Sequence, residues 1–190
     1  MSSSPIFFPG YAQPQQDRTG LWLRAWLPVL AYSMIFVIES TKYLGSDHTS
    51  EPLRRVTEFL FGYDACANWD TIHHLIRKTG HFLGYGAFSL ICFRGFMMIM
   101  RNAAKSLAGR LRAHALGVFV TFLVACADEF HQSFLPNRTG TFSDVLLDTC
   151  GAVALGLALF IVTLALNWLK RSRTTPSRRQ PHRQKHPALV

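Results

Sequence analysis

The chain has 190 residues, enough for one domain, and its composition is 49% hydrophobic but only 16% charged, with a formal net charge of +9. The apolar residues come in blocks rather than amphipathic periods, which argues against a water-soluble helical bundle; between Val145 and Asn167, for example, only Asp148 is charged. The basic excess sits in turns and tails beside the apolar blocks, a distribution that argues for a membrane protein and against a nucleic-acid binder.

Residues 1–20 are rich in Ser, Pro and Gln with no apolar period and read as a disordered tail. A first span follows from Leu21 to Ile38, with Trp22 and Trp26 as interfacial anchors and Pro28 tolerable inside a membrane helix. It runs on to Glu39-Ser40-Thr41 without a small-x-small cleavage pattern, so it is read as a retained anchor. The loop from Ser40 to Lys78 is too long for a turn. Ser50-Glu51-Pro52 predicts a helix start, after which Val56, Phe59 and Leu60 share a face, as in a short amphipathic helix on the surface or a lid. Asn68 or Asp70 can cap a second helix that runs directly into the next span, and His73 and His74 on it are expected to be solvated or interfacial.

The second span is predicted from Gly80 to Met100, the third from Ala113 to Ala127 and the fourth from Val145 to Leu169, against the roughly 20 residues needed to cross about 30 Å of hydrocarbon. Lys78, His81 and Tyr85 recur at i, i+3 and i+7 and line one face, with Gly80, Gly84 and Gly86 leaving room for a neighbouring helix. The third span ends on Asp128, Glu129, His131 and Gln132, with Asp128 and Gln132 one turn apart. Pro136 and Asn137 make the turn, Arg138 follows, and Asp144, Asp148 and Gly151 repeat along the start of the fourth span. Fourteen of the twenty Lys and Arg residues fall on the side of both termini, which predicts cytoplasmic ends, a membrane domain at 21–169 and a basic cytoplasmic tail at 170–190. The four cysteines read as small apolar residues rather than a disulfide framework.

By this topology the polar ends of spans two, three and four share one membrane face. Such groups are tolerable near hydrocarbon only if they pair, bind a ligand or face water. Four readings stay open. One is a structural network, with Lys78 on Asp128 and Arg138 on Asp144 or Glu129. The second is a metal site using His81, His131 and two carboxylates, although no metal-ligand spacing such as HExxH occurs and Lys78 and Arg138 would repel a cation. The third is an acid–base site with Glu129 or Asp128 as base and His131 or His81 carrying a proton. The last is a pocket for an anionic head group or cell-wall precursor, with Lys78 and Arg138 as the cations.

Lys78-x-x-His81-x-x-x-Tyr85, then Asp128-Glu129-x-His131-Gln132, Pro136-x-Arg138, Asp144 and Gly151, in this order around four spans, resemble the VanZ-like family of bacterial membrane proteins. The resemblance covers about Trp26 to Leu166; Asp148 departs from it, standing where many relatives are expected to carry Asn. It implies a multispan protein of the bacterial inner membrane and an envelope task, with glycopeptide resistance as the founding association, and no known reaction. The expectation is an all-α integral membrane four-helix bundle with short interfacial helices in its first outer loop. Its outward-facing site engages an anionic amphiphilic ligand through Lys78, His81, Tyr85, Gln132, Arg138, Asp144 and Asp148. The alternative is a hydrolase or transferase acting on a lipid-linked substrate, with Glu129, His131 and Asp128 catalytic. No cofactor, metal or nucleic acid is expected, and membrane lipids are the expected partners.

Overall fold

The computed structural model describes residues 18–41, 46–135 and 140–174, so both tails and the turn carrying Arg138 lie outside the described residues. The described chain forms five α-helices: α1 Arg18–Glu39, α2 Ser46–Phe61, α3 Trp69–Ile99, α4 Leu107–Gln132 and α5 Phe142–Thr174. Short 3-10 turns lie at Tyr63–Cys66 and Ala103–Lys105, and no strand occurs among the described residues. α1, α3, α4 and α5 are each long and apolar enough to cross a bilayer. Only 17% to 33% of each apolar stretch is buried inside the protein. The rest, such as Leu23, Leu27 and Leu30 of α1, is exposed apolar surface suited to the hydrocarbon of a bilayer. The protein is an all-α, multi-pass membrane protein with one short non-spanning helix.

Every spanning helix is longer than its apolar block, because polar residues at the ends continue the backbone hydrogen-bond pattern after the hydrocarbon-compatible residues stop. α1 takes in Arg18–Gly20 and α5 runs through Lys170 to Thr174. As expected, the helix at Trp69 runs without a break into the second span.

Residues 1–156 form one compact unit and residues 157–190 a second. The described part of the second is helical with Leu157, Ile161, Leu164 and Trp168 exposed, and Arg171 and Arg173 lie in its last turn, where cations favour a helix C-terminus.

In the first unit α1 packs on α3 through aromatic rings. Phe36 stacks on Tyr85 at 4.2 Å between centroids and meets Phe88 edge-on at 5.3 Å, while the Tyr32 hydroxyl donates to the Gly84 carbonyl at 3.2 Å. α4 starts where the Ser106 hydroxyl accepts from the Gly109 amide at 3.0 Å. Its buried residues Gly109, Ala113, Gly117, Thr121, Ala125 and Glu129 fall every fourth position, a stripe of small side chains that brings its backbone close to α3 and ends on a carboxylate. α3 approaches α5 at Gly86 and Gly151: a methyl on Gly86 would lie 2.9 Å from the Gly151 carbonyl oxygen. Gly80, in contrast, faces open space, so the room expected beside it is not used.

α2 begins at Ser46 rather than Ser50, which places Pro52 inside the helix. The i,i+4 pairs Glu51–Arg55 and Arg54–Glu58, both at 3.0 Å, support it, and the Glu58 hydrogen bond holds the Arg54 guanidinium above its ordinary range. Gly62, at φ 85°, turns the chain out of the helix, and its amide donates back to the Glu58 carbonyl at 2.9 Å. α2 is fastened to the start of α3 by Trp69 Nε1 donating to Ser50 Oγ at 2.7 Å and by Thr49 Oγ1 bonding His73 Nε2 at 3.2 Å. His73 is therefore buried and stacked on Trp69, not solvated, because the α2 strap covers it; His74, one position on, is exposed. Val56, Phe59, Leu60 and Phe61 remain exposed, the apolar side of an interfacial helix.

Candidate functional site

Two helix ends, one half-helix and one helix start build the polar cluster: the C-terminal ends of α1 and α4, the first half of α3 and the start of α5. α3 and α5 run in the same direction, and their polar residues meet rung by rung. Lys78 Nζ pairs with Asp144 Oδ1, with about a third of the lysine and a quarter of the carboxylate exposed. One turn deeper, His81 Nδ1 lies 3.8 Å from Asp148 Oδ1, an ion-pair separation beyond hydrogen-bond reach. Asp148 is fully buried, and among the described residues neither of its carboxylate oxygens has a hydrogen-bond partner. The Gly86–Gly151 contact follows below it.

Tyr85 points the other way, toward α4. Its hydroxyl donates to Asp128 Oδ2 at 2.9 Å, and Gln132 Nε2 donates to the same oxygen at 2.9 Å, so the i,i+4 spacing of Asp128 and Gln132 makes the contact it suggested. Glu129 is buried at 6% exposure, and its Oε2 accepts from the Thr141 amide at 2.8 Å, tying the end of α4 to the start of α5. His131 is exposed on α4, yet its Nδ1 bonds Ser40 Oγ at 2.8 Å, joining α4 to the end of α1.

The structure thus brings Lys78, His81, Tyr85, Asp128, Glu129, His131, Gln132, Asp144 and Asp148 to one end of the first unit, and Arg138 lies outside the described residues. The partner of Lys78 is Asp144 rather than Asp128, because parallel α3 and α5 advance together while Asp128 is occupied by Tyr85 and Gln132. Among the described residues no set of three or more His, Cys, Asp or Glu side chains is arranged to hold a metal ion: His81 faces Asp148 and His131 faces Ser40. The four cysteines are all free, and Cys66 is buried with its Sγ 4.0 Å from the Arg54 carbonyl.

Two contributors escaped the sequence reading. Ser40 counted as the first loop residue, although its place at the same membrane face as His131 follows from topology. Thr141 contributes through its backbone amide, which side-chain patterning does not register. An open groove of 590 Å³ lies beside the cluster, lined by His74, Lys78, Thr141, Ser143, Asp144 and Leu147. It presents two basic side chains and two hydroxyls with a single carboxylate; the other carboxylates are turned inward. Such a surface can take a phosphate or carboxylate by charge and hydroxyl donation.

Residues 17–165 match the VanZ/LLP1 family, most of the chain, and the chain belongs to that family. No curated protein and no solved structure matches it.

Proposed function

As a member of the VanZ/LLP1 family this is a multi-pass membrane protein, and we propose that it binds the anionic head group of an amphiphilic envelope ligand, a phospholipid or lipid-linked cell-wall precursor, in the groove beside Lys78. The observation that carries the reading is the groove itself. It is open, and it lies where α3 and α5 reach the membrane face, so a ligand can hold its tails in the bilayer and its head group against Lys78, His74, Thr141 and Ser143. Asp144 keeps Lys78 in place and yields part of it to the ligand, as the partial exposure of both groups allows. Asp128, Glu129, Gln132 and Tyr85 hold the helix ends that carry the groove. In this reading the site faces outward and both termini are cytoplasmic in a bacterial inner membrane, which the basic residues around the α3–α4 turn and beyond α5 support.

A second reading has one specific observation in its favour: the 2.8 Å contact of Ser40 Oγ with His131 Nδ1. With Nδ1 unprotonated, the imidazole accepts the hydroxyl proton as Oγ attacks an acyl or phosphoryl centre, and returns it to the leaving oxygen as the bond between that oxygen and the centre breaks, the arrangement of an activated serine. One experiment separates the two. Purified wild type, Lys78→Gln and Ser40→Ala are incubated with an envelope-lipid extract, and lipids retained and products formed are read by mass spectrometry. The binding reading expects an anionic lipid returned unchanged by wild type and Ser40→Ala and lost by Lys78→Gln. A new product made by wild type and absent with Ser40→Ala establishes the enzyme instead. Equal retention by all three proteins with no product overturns both.

A further inference from the structure

The end of the first unit opposite the polar cluster carries its own cavity, larger than the groove beside Lys78. It measures 1690 Å³ and opens between the start of α1, the end of α3 and the 3-10 turn that follows. Arg18, Arg101 and Lys105 line it, and all three are exposed. Among the described residues no carboxylate lines it. Asp17, next to Arg18 in sequence, lies outside the described residues; elsewhere no Asp or Glu occurs from Thr71 to Ala127, and the only carboxylate of α1 is Glu39 at its far end. The rest of the wall includes Trp22, Met97 and Met100. Trp22 is half-exposed and stacks on Trp26, a rigid aromatic surface at the level where a spanning helix leaves hydrocarbon.

We propose that this cavity is a binding site for an anionic phospholipid of the leaflet at that end, with its phosphate held by Arg18, Arg101 and Lys105 and its upper acyl chains against Trp22, Met97 and Met100. The positive-inside distribution explains an excess of cations on one side but not their convergence on one cavity. Three cations, one from the start of α1 and two from the turn after α3, facing one space that no carboxylate among the described residues lines, favour a ligand of at least one negative charge. The apolar wall distinguishes a lipid from a free phosphate, which has nothing to place against a tryptophan and two methionines. Phosphate recognition at this depth needs side chains long enough to reach the head-group layer while their stems remain in apolar surroundings, and Arg and Lys meet that need.

Native mass spectrometry of the full chain in detergent tests the site. Phosphatidylglycerol and phosphatidylcholine are added in equal amounts, and the lipid adducts of wild type, of Arg18→Gln/Arg101→Gln/Lys105→Gln and of Arg55→Gln on α2 are compared, each in a Lys78→Gln background so that the groove beside Lys78 adds no preference of its own. Wild type and Arg55→Gln are expected to retain phosphatidylglycerol over phosphatidylcholine by on the order of tenfold, and the triple variant to bring the two to near parity. The three side chains are exposed, so the variant is expected to elute and to retain helicity as wild type does. Should it not, the three single substitutions, each expected to lower the preference, carry the same test. Equal retention of the two lipids by wild type overturns the proposal, as does a preference that survives the substitutions. Displacement of the lipid by glycerol 1-phosphate at equal concentration overturns it in favour of a site for soluble phosphate esters.

Discussion

Substituting Gly151 by Ala tests whether the parallel contact of α3 and α5 sets the polar cluster in place. A methyl at Gly151 runs into the Phe82 carbonyl oxygen, and comes 2.9 Å from the Phe82 carbonyl carbon and 3.1 Å from its Cα. All three are backbone atoms, so no side-chain rotation relieves the contact. Ordinary carbon–carbon separations are about 3.5–4.0 Å, so the two helices must part by roughly 0.6–1 Å. Overpacking of this kind costs about 1–3 kcal/mol. The same displacement stretches the Lys78–Asp144 and His81–Asp148 rungs above it, and because Asp148 is already without hydrogen bonds it has nothing to fall back on. A loss of about 3 kcal/mol or more is expected, about a hundredfold in the folded-to-unfolded ratio. Gly80→Ala serves as the control: its methyl meets nothing within 4 Å, and Ala for Gly inside a helix gains about 0.5–1 kcal/mol. Reversible unfolding in mixed micelles, followed by tryptophan fluorescence across a denaturing-detergent titration, measures both. A Gly151→Ala protein as stable as Gly80→Ala would refute the close approach and, with it, the register of the two polar rows.

Tyr85→Phe keeps the ring stacked on Phe36 but removes one of the two donors to Asp128 Oδ2, and a loss of about 1.5–3 kcal/mol is expected in the same titration; an unchanged midpoint would mean that Asp128 does not depend on that hydroxyl. Trp69→Phe keeps an aromatic ring against His73 but removes the N–H that donates to Ser50, so α2 is expected to open more readily by about 1 kcal/mol, a roughly fivefold faster amide exchange in α2 with α3 unchanged. Exchange that rises equally in both helices would show that α2 and the start of α3 unfold as one piece.

The spanning helices were legible because the bilayer imposes a length and an apolar content that composition alone reveals; α2 was half-legible, its apolar face visible at Val56, Phe59 and Leu60 but its start hidden by Pro52, which reads as a boundary and sits inside the helix. The cluster was legible as a set and not as a set of pairs. Lys78, His81 and Tyr85 announce one face of α3, but a face i to i+7 long is wide enough to touch two neighbours, and the sequence does not say where it divides. In the structure the division falls between His81 and Tyr85: the first two residues meet α5 and the third meets α4. Parallel direction decides it. Two helices that run the same way keep step, so Lys78 with Asp144, His81 with Asp148 and Gly86 with Gly151 share one offset within a residue or two, and the glycine contact at the third rung holds the first two at charge-pair distance. α4 runs against α3, and its acidic residues can only meet the face at one level, which is where Tyr85 and Asp128 cross. The small-residue stripe of α4 leads to the same level: with Ala113, Gly117, Thr121 and Ala125 on the side where Gly117 meets the Ser89 and Phe93 backbone of α3, the next position on that stripe is Glu129, and burying its carboxylate requires a donor, which the Thr141 amide provides. The groove beside Lys78 therefore follows from helix direction and from one glycine contact as much as from the polar residues that line it.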